Sequence, residues 1–122
     1  MSLCWITITT EKMEESLKFY TEIAGLKIDS RFSPDENTDI AMLGDPESAK
    51  VELLCRKGYA TVKNTKGISV GLRVDSLEGM LEKIKMNKIP IVSGPVSPSP
   101  GLSFFMVSDP NGVTVQFVEE KQ

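Results

Sequence analysis

The 122 residues of this chain include no histidine, and this limits the chemistry that its side chains could do. Histidine titrates nearest to neutral pH and is the commonest protein ligand for transition metals. Ser-His-Asp and Cys-His catalysis are therefore excluded. The polar side chains of interest on the predicted strands are a carboxylate, Glu52, an amide, Gln116, and a guanidinium, Arg73. Groups of this kind suit hydrogen bonding to a small molecule.

Glu52 has two interpretations. A carboxylate in a dry cleft could act as a general base. It could instead be structural, bonded to Arg73, a hydroxyl or an ordered water, and we favour this interpretation because an unpartnered carboxylate in a cleft is costly. Arg73 stands near the end of its strand and could simply reach solvent.

The two cysteines predict no chemistry. Cys4 shares the strand parity of Ile6, and Cys55 shares that of Leu53, which favours small buried hydrophobic side chains over catalytic thiols. Two cysteines do not make a disulfide framework, so a cytoplasmic location is the simplest expectation.

Composition is typical of one globular domain. Hydrophobic residues make up 40% and charged residues 25%, and the net charge is −3. No basic stripe is visible, so we expect no nucleic-acid or acidic-membrane partner. The opening MSLCWITITT lacks the pattern of a signal peptide, and no apolar run approaches the length of a membrane span.

The sequence predicts two copies of one unit, related by a shift of 64 residues. Asp45-Pro46 falls on Asp109-Pro110, and in each copy an alternating strand follows this turn. The further coincidences are Val51 with Val115, Leu53 with Phe117, Ile6 with Val70, Ile8 with Leu72, Met13 with Leu77 and Leu17 with Leu81. Chance alternation of apolar residues is the other explanation. We expect a single domain over residues 1–122, with modules of about 1–62 and 63–122.

Each copy predicts a strand, a helix and three further strands. Alternating stretches at 3–9 and 67–74 open the copies. The other strands are expected near 26–31, 38–43 and 50–55, and near 89–92, 102–107 and 113–118. SGPVSPSPG at 93–101, with three prolines and two glycines, predicts a loop and not a central strand. This loop and those at 32–39 and 56–66 are expected to shape a pocket rim.

The helices are read from apolar spacing and end signals. The second is expected to begin at Asp75, with Glu78 at the spacing of a capping box. The first is expected to stop at Gly25. Its apolar face is made of Met13, Leu17, Tyr20 and Ala24.

Alternation sorts the strand side chains onto two faces. The aliphatic face must pack on the helices. We expect the mixed face to line a concavity that suits a small ligand; a flat solvated face, with Trp5 covered by a partner chain, is the alternative. The predicted ligand-binding residues are Trp5, Thr7, Glu52, Leu54, Ser69, Arg73, Thr114 and Gln116.

Four stretches together resemble one protein family. They are WITITTEKMEESLKFYTEIAGLKI, VELL at 51–54, GISVGLRVDSLEGM at 67–80 and SGPVSPSPGLSFFMVSDPNGVTVQFVE at 93–119. This ordered set resembles the vicinal oxygen chelate superfamily, also called the glyoxalase/bleomycin resistance/dioxygenase superfamily. The resemblance implies an α+β fold in which two βαβββ modules form a half-open, eight-stranded mixed β-barrel around a cleft, usually in a homodimer.

The resemblance also implies where a metal ion would bind in metal-dependent members. The corresponding positions here are Trp5, Glu52, Ser69 and Gln116. Glu52 is a strong ligand, Gln116 could give a carbonyl oxygen, Ser69 is a poor ligand and the Trp5 indole cannot coordinate. We therefore expect no metal, no other cofactor and no catalytic residue.

The expected function is metal-free binding of a small organic molecule, as in ligand or antibiotic sequestration. Trp5 would offer a stacking surface, Glu52 and Gln116 would orient the ligand, and Arg73 would favour an anionic group. One alternative is a lyase, isomerase or dioxygenase-type enzyme with a degenerate or metal-independent site. Another is an interaction module whose cleft is filled by Trp5 and a partner segment.

Overall fold

The computed structural model describes residues 1–61 and 67–121. The chain divides into two compact units, Met1–Lys63 (unit 1) and Asn64–Gln122 (unit 2). Residues 62–66 of the expected loop at 56–66, and with them the expected module boundary, lie outside the described residues.

Unit 1 is a four-stranded mixed sheet with one helix. Its elements are β1 (Trp5–Thr9), α1 (Met13–Lys18) continued by a π-helical segment (Phe19–Ile23), β2 (Ile28–Asp35), β3 (Thr38–Leu43) and β4 (Lys50–Arg56). The strand order is β1-β4-β3-β2, with β1 parallel to β4 and the other pairs antiparallel.

Unit 2 repeats this plan. Its elements are β5 (Ser69–Arg73), α2 (Leu77–Met86), β6 (Ile91–Ser99), β7 (Leu102–Ser108) and β8 (Thr114–Glu120). The strand order is β5-β8-β7-β6, with β5 parallel to β8. The predicted α+β fold of two βαβββ modules is confirmed.

Strand pairing shows the repeat directly. Trp5 lies opposite Lys50 in the β1–β4 pair, and Ser69 lies opposite Thr114 in the β5–β8 pair, each 64 positions later. The β3–β4 and β7–β8 registers are related by the same shift. The two units therefore place equivalent residues at equivalent points of their sheets.

The predicted parity of the strands is also confirmed. The helix-facing side of each sheet is buried, with Leu53 and Phe117 both fully inaccessible. Other buried residues on this side are Ile8, Ala41, Leu43 and Val51 in unit 1 and Val70, Phe105, Val107 and Val115 in unit 2. Burial of these apolar side chains fixes which face of each strand remains open.

The start and end of the helices follow local signals. Gly25, with φ of +83°, follows the first helical stretch as predicted, in the left-handed region that glycine adopts at low cost. The expected capping box at Asp75 is wrong. The N-cap of α2 is Ser76, whose side chain accepts from the Gly79 N–H at 3.0 Å. The hydroxyl at Ser76 is one residue closer to the first helical turn and takes the capping role.

An ion-pair cluster fastens α1 to the sheet of unit 1. The Arg31 guanidinium lies 2.8 Å from both Glu14 on α1 and Asp39 on β3. Hydrogen bonds to Asp39 and then to Glu14 raise the pKa of Arg31 far above its usual range. Arg31 therefore stays charged and connects α1 with the helix-facing side of the β2–β3 hairpin through these two ion pairs.

The expected loop at 93–101 is wrong, because most of it forms β6. This strand lies at the sheet edge, where prolines need not donate to a neighbour, and its pairing with β7 is irregular. Gly94 has φ of +88°, and a Cβ there would stand 3.0 Å from the Phe104 carbonyl oxygen. The expected loop at 32–39 is likewise mostly strand, since β2 runs to Asp35 and β3 begins at Thr38.

The prediction for the cysteines fails at Cys4, which precedes β1 and is exposed. Cys55, near the end of β4, is half-buried. Strand parity decides burial only where a strand is covered, and neither position is fully covered. Within residues 1–61 and 67–121, no helix has the length and apolar character needed to cross a membrane.

Candidate functional site

The sheet of unit 1 has a surface opposite α1, which we call open face 1. Cross-strand pairing places Thr7, Glu52, Met42 and Ser30 in one row across it. The next row is Thr9, Leu54, Ile40 and Phe32, and on the other side of Glu52 lie Trp5 and Lys50. Neighbouring rows are about 7 Å apart, because two residues of a strand span that length. Glu52 therefore stands near the middle of this face.

Glu52 is half-buried and has a hydroxyl as its partner. The Thr7 Oγ1–H donates to Glu52 Oε1 at 2.5 Å. A hydroxyl is one of the structural partners that the sequence predicted. No ion pair among the described residues of unit 1 involves Glu52.

The surroundings of Glu52 on open face 1 are largely apolar. Met42 lies directly opposite Glu52, and Ile40 lies opposite Leu54. Trp5 is 53% exposed and Phe32 is 48% exposed. Trp5 lies on the side opposite the buried Ile8, as predicted. A lone carboxylate among apolar and aromatic side chains is the arrangement of a small-molecule site.

The basic residues that share the parity of open face 1 are engaged elsewhere. The Lys50 Nζ donates to the carbonyl oxygens of Pro46 and Ser48, at 3.0 and 2.6 Å. The Arg56 guanidinium lies over the Tyr59 ring, 5.1 Å from its centroid. Neither neutralises Glu52.

The corresponding surface of unit 2, open face 2, has the same layout with different polar groups. Gln116 takes the place of Glu52, and Met106 lies opposite it as Met42 does in unit 1. The Gln116 Nε2–H donates to Ser69 Oγ at 3.0 Å. The members of this face are Ser69, Gly71, Arg73, Ser93, Val96, Phe104, Met106, Ser108, Thr114, Gln116 and Val118.

Arg73 forms an ion pair within unit 2. Its Nη2 lies 2.9 Å from Glu120 Oε1, and both side chains are largely exposed. Its charge is therefore already balanced at the end of the β5–β8 pair.

The structure brings the predicted residues together in two groups. Trp5, Thr7, Glu52 and Leu54 share open face 1, and Ser69, Arg73, Thr114 and Gln116 share open face 2. The sequence analysis missed the apolar contribution of the middle strands, which is Ile40, Met42, Phe104 and Met106. The same alternation would have found them, because they flank the fully buried Ala41 and Phe105.

A depression of about 570 Å³ on unit 1 lies at the end of the β2–β3 hairpin, among Arg31, Phe32, Thr38 and Asp39. It includes neither Glu52 nor Trp5. Two of its polar side chains already have partners, since Arg31 binds Asp39 and Thr38 binds Asp35. Open face 1 is the better candidate, because it combines apolar side chains with a half-buried carboxylate that has unused hydrogen-bonding capacity.

The residues at the family's metal positions do not fit a first-row metal ion. Trp5 offers no lone pair, and Glu52 is the one ionised group of the four. Gln116 and Ser69 bind each other. Within the described ranges, no group of three or more His, Cys, Asp or Glu side chains could hold a metal ion.

The family model of the Glyoxalase/Bleomycin resistance protein/Dioxygenase superfamily matches residues 2–117. The chain belongs to this superfamily. No protein with a curated description matches its sequence at a significant level.

Solved structures of this superfamily's fold are similar to the whole chain. A trypanothione-dependent glyoxalase I from Leishmania major has a TM-score of 0.81 and 22% identity, over 98% of this chain and 87% of that one. TnmS3, an antibiotic-binding protein from Streptomyces sp. CB03234, has a TM-score of 0.74 and 17% identity, over 99% and 97%. A glyoxalase I variant from Zea mays has a TM-score of 0.84 and 24% identity, over 98% of this chain and 46% of that one. At these identities the likeness shows the fold.

Proposed function

We propose that this protein binds a small organic molecule on its open faces without a metal ion, as a ligand- or antibiotic-sequestering member of its superfamily. One observation carries the proposal: open face 1 sets a carboxylate, Glu52, beside apolar side chains such as Met42 and Leu54, and its described residues lack the further ligands that a metal ion needs. TnmS3, which shares the fold, is described as antibiotic-binding.

The two units present open faces of the same layout, because the register of their strands repeats after 64 residues. The proposal treats each open face as a surface on which apolar side chains remove ligand area from water and a few polar groups fix the ligand's orientation.

Each group has a role in the proposed site. Trp5 and Met42 supply contact area for a flat apolar body, and Thr7 holds Glu52 in position through its hydroxyl. On open face 2, Gln116 has a carbonyl oxygen left to accept from a ligand, because its amide nitrogen donates to Ser69. We assign no general base, because the Thr7 hydroxyl gives Glu52 the structural partner that the sequence analysis favoured.

Fluorescence of the single tryptophan, Trp5, tests the proposal directly. Our probes are 9-anthracenemethanol, 9-anthracenemethylamine and 9-anthracenecarboxylate, which share one flat apolar body. We expect at least one to quench Trp5 and to raise the melting temperature. A hundredfold excess over Kd stabilises the folded state by about 2.7 kcal/mol.

Two variants locate the binding surface. Met42→Ala removes contact area from open face 1 and should weaken probe binding severalfold. Met86→Ala is the control, because Met86 is 83% exposed and belongs to α2, which lies on the other side of its sheet from open face 2. Absence of quenching and of stabilisation by all three probes would contradict the proposal.

We also propose a homodimer and a cytoplasmic location. Ile28 and Phe32 on the edge strand β2 are 51% and 48% exposed, and a second copy could cover them. Cys4 and Cys55 are free thiols, which suits a reducing compartment. Light scattering at micromolar concentration should give twice the chain mass; the mass of a single chain would refute the dimer.

A further inference from the structure

We infer that the ligand presents a hydrogen-bond donor or a positive charge beside a flat apolar body, and carries no anionic group at that point. This inference rests on the proposed function and specifies the class of ligand. It reverses the expectation from sequence, in which Arg73 favours an anionic ligand.

The first argument is the charge of open face 1. Glu52 is half-buried near its centre, and one of its oxygens, Oε1, accepts from Thr7. The Thr7 hydroxyl is neutral and leaves the negative charge of Glu52 in place. The second oxygen of Glu52, Oε2, can still accept a hydrogen bond. A ligand that covers this carboxylate must supply a donor, because an ionised group removed from water without a partner is strongly destabilised.

The second argument is that the neighbouring cations are already bound. Lys50 donates to two carbonyl oxygens of the 46–48 turn, and Arg56 lies over Tyr59. On open face 2, Arg73 is paired with Glu120. These contacts leave Glu52 without a basic partner, so a ligand group that covers the carboxylate must itself supply the donor.

The third argument is the position of the carboxylate relative to the apolar rows. Leu54 and Ile40 lie one row from Glu52 on one side, and Trp5 lies one row away on the other. The spacing of about 7 Å lets a two- or three-ring body rest on one row while a substituent reaches Glu52. A hydroxymethyl or aminomethyl group on such a body has the required reach.

The three anthracene probes differ in this substituent alone, and so they test the inference. We expect the methylamine and the methanol to bind at least about tenfold more tightly than the carboxylate, because the charge of Glu52 attracts the first and repels the last. In Glu52→Gln, which keeps the size and an acceptor oxygen, the preference of the amine over the carboxylate should fall to threefold or less. Glu15→Gln makes the same change of charge at an exposed position of α1, on the other side of the sheet from open face 1, and should keep the wild-type preference.

Salt provides a measurement that needs no variant. The preference of the wild-type protein for the amine over the alcohol should shrink as ionic strength rises. Equal or tighter binding of the carboxylate would overturn the inference and leave the proposed function standing. An unchanged preference of Glu52→Gln for the amine over the carboxylate would also overturn the inference and leave the proposed function standing. Failure of every probe would instead contradict the proposed function.

Discussion

The Thr7 hydroxyl donates to the Glu52 carboxylate across directly paired positions of β1 and β4. The position 64 residues after Thr7 is Gly71, which has no side chain to play this part, and Gln116 binds Ser69 instead. The two units thus share a backbone plan while their polar groups differ. The difference places a carboxylate on open face 1 and a neutral amide at the equivalent point of open face 2.

Loss of the Thr7 hydroxyl should be measurable as lost stability. Thr7→Val removes the donor and keeps the shape, and we expect the free energy of unfolding to fall by about 1 kcal/mol. Thr9→Val is the control, because Thr9 lies on the same face and no side-chain hydrogen bond is described for it. Urea denaturation of both variants checks the prediction, and equal losses would contradict the role given to Thr7.

The two faces of β4 should respond differently to truncation. Leu53 is fully inaccessible, so Leu53→Ala should cost about 2–5 kcal/mol of unfolding free energy. Leu54→Ala, on open face 1, should cost less than half as much and weaken probe binding. Urea denaturation gives the stabilities and Trp5 quenching the affinities. A costlier change at Leu54 would mean that the faces are assigned wrongly.

Three substitutions would restore metal-ligating side chains at the family's metal positions. The triple variant Trp5→His, Ser69→His and Gln116→Glu joins Glu52 to complete a set of two imidazoles and two carboxylates, which suits Zn²⁺ or Ni²⁺. We expect calorimetry to show one tightly bound divalent ion per chain, while Gln116→Glu alone binds weakly. A triple variant that folds but binds no ion would contradict the assignment of these four residues to the family's metal positions.

Asp35 makes the stability of unit 1 depend on pH. The Asn37 backbone N–H and the Thr38 hydroxyl donate to Asp35 Oδ1 and lower its pKa. Because the folded-state pKa lies below the unfolded value of about 3.9, this contribution is present above that pH and is lost as the pH falls through the folded-state pKa. The difference in melting temperature between wild type and Asp35→Asn should be constant from pH 7 to 5 and shrink below pH 4. A difference that grows in acid would contradict this assignment.

Local alternation and the 64-residue repeat predicted much of the architecture, because both depend on which side chains must be buried. Leu53 and Phe117 illustrate this, since the shift matches them and both are in the core. Edge structure was harder to predict. The prolines of 93–101 rule out a central strand, yet an edge strand such as β6 tolerates them.

For the polar contacts of the candidate site, the sequence predicted the kind of group that would bind but not which residue would supply it. A hydroxyl was among the partners expected for Glu52, but its identity as Thr7 depends on the parallel register of β1 and β4. Arg73 could have reached Glu52 or solvent by sequence alone, and its pairing with Glu120 follows from the β5–β8 register. Register between distant segments is a property of the folded sheet that local patterns do not determine.

The most direct test of metal-free binding is calorimetry of 9-anthracenemethylamine with protein treated with a chelator and then dialysed. We predict the same Kd before and after this treatment, and no tightening when Zn²⁺ or Ni²⁺ is added. Binding that disappears with the chelator and returns with the ion would contradict the account.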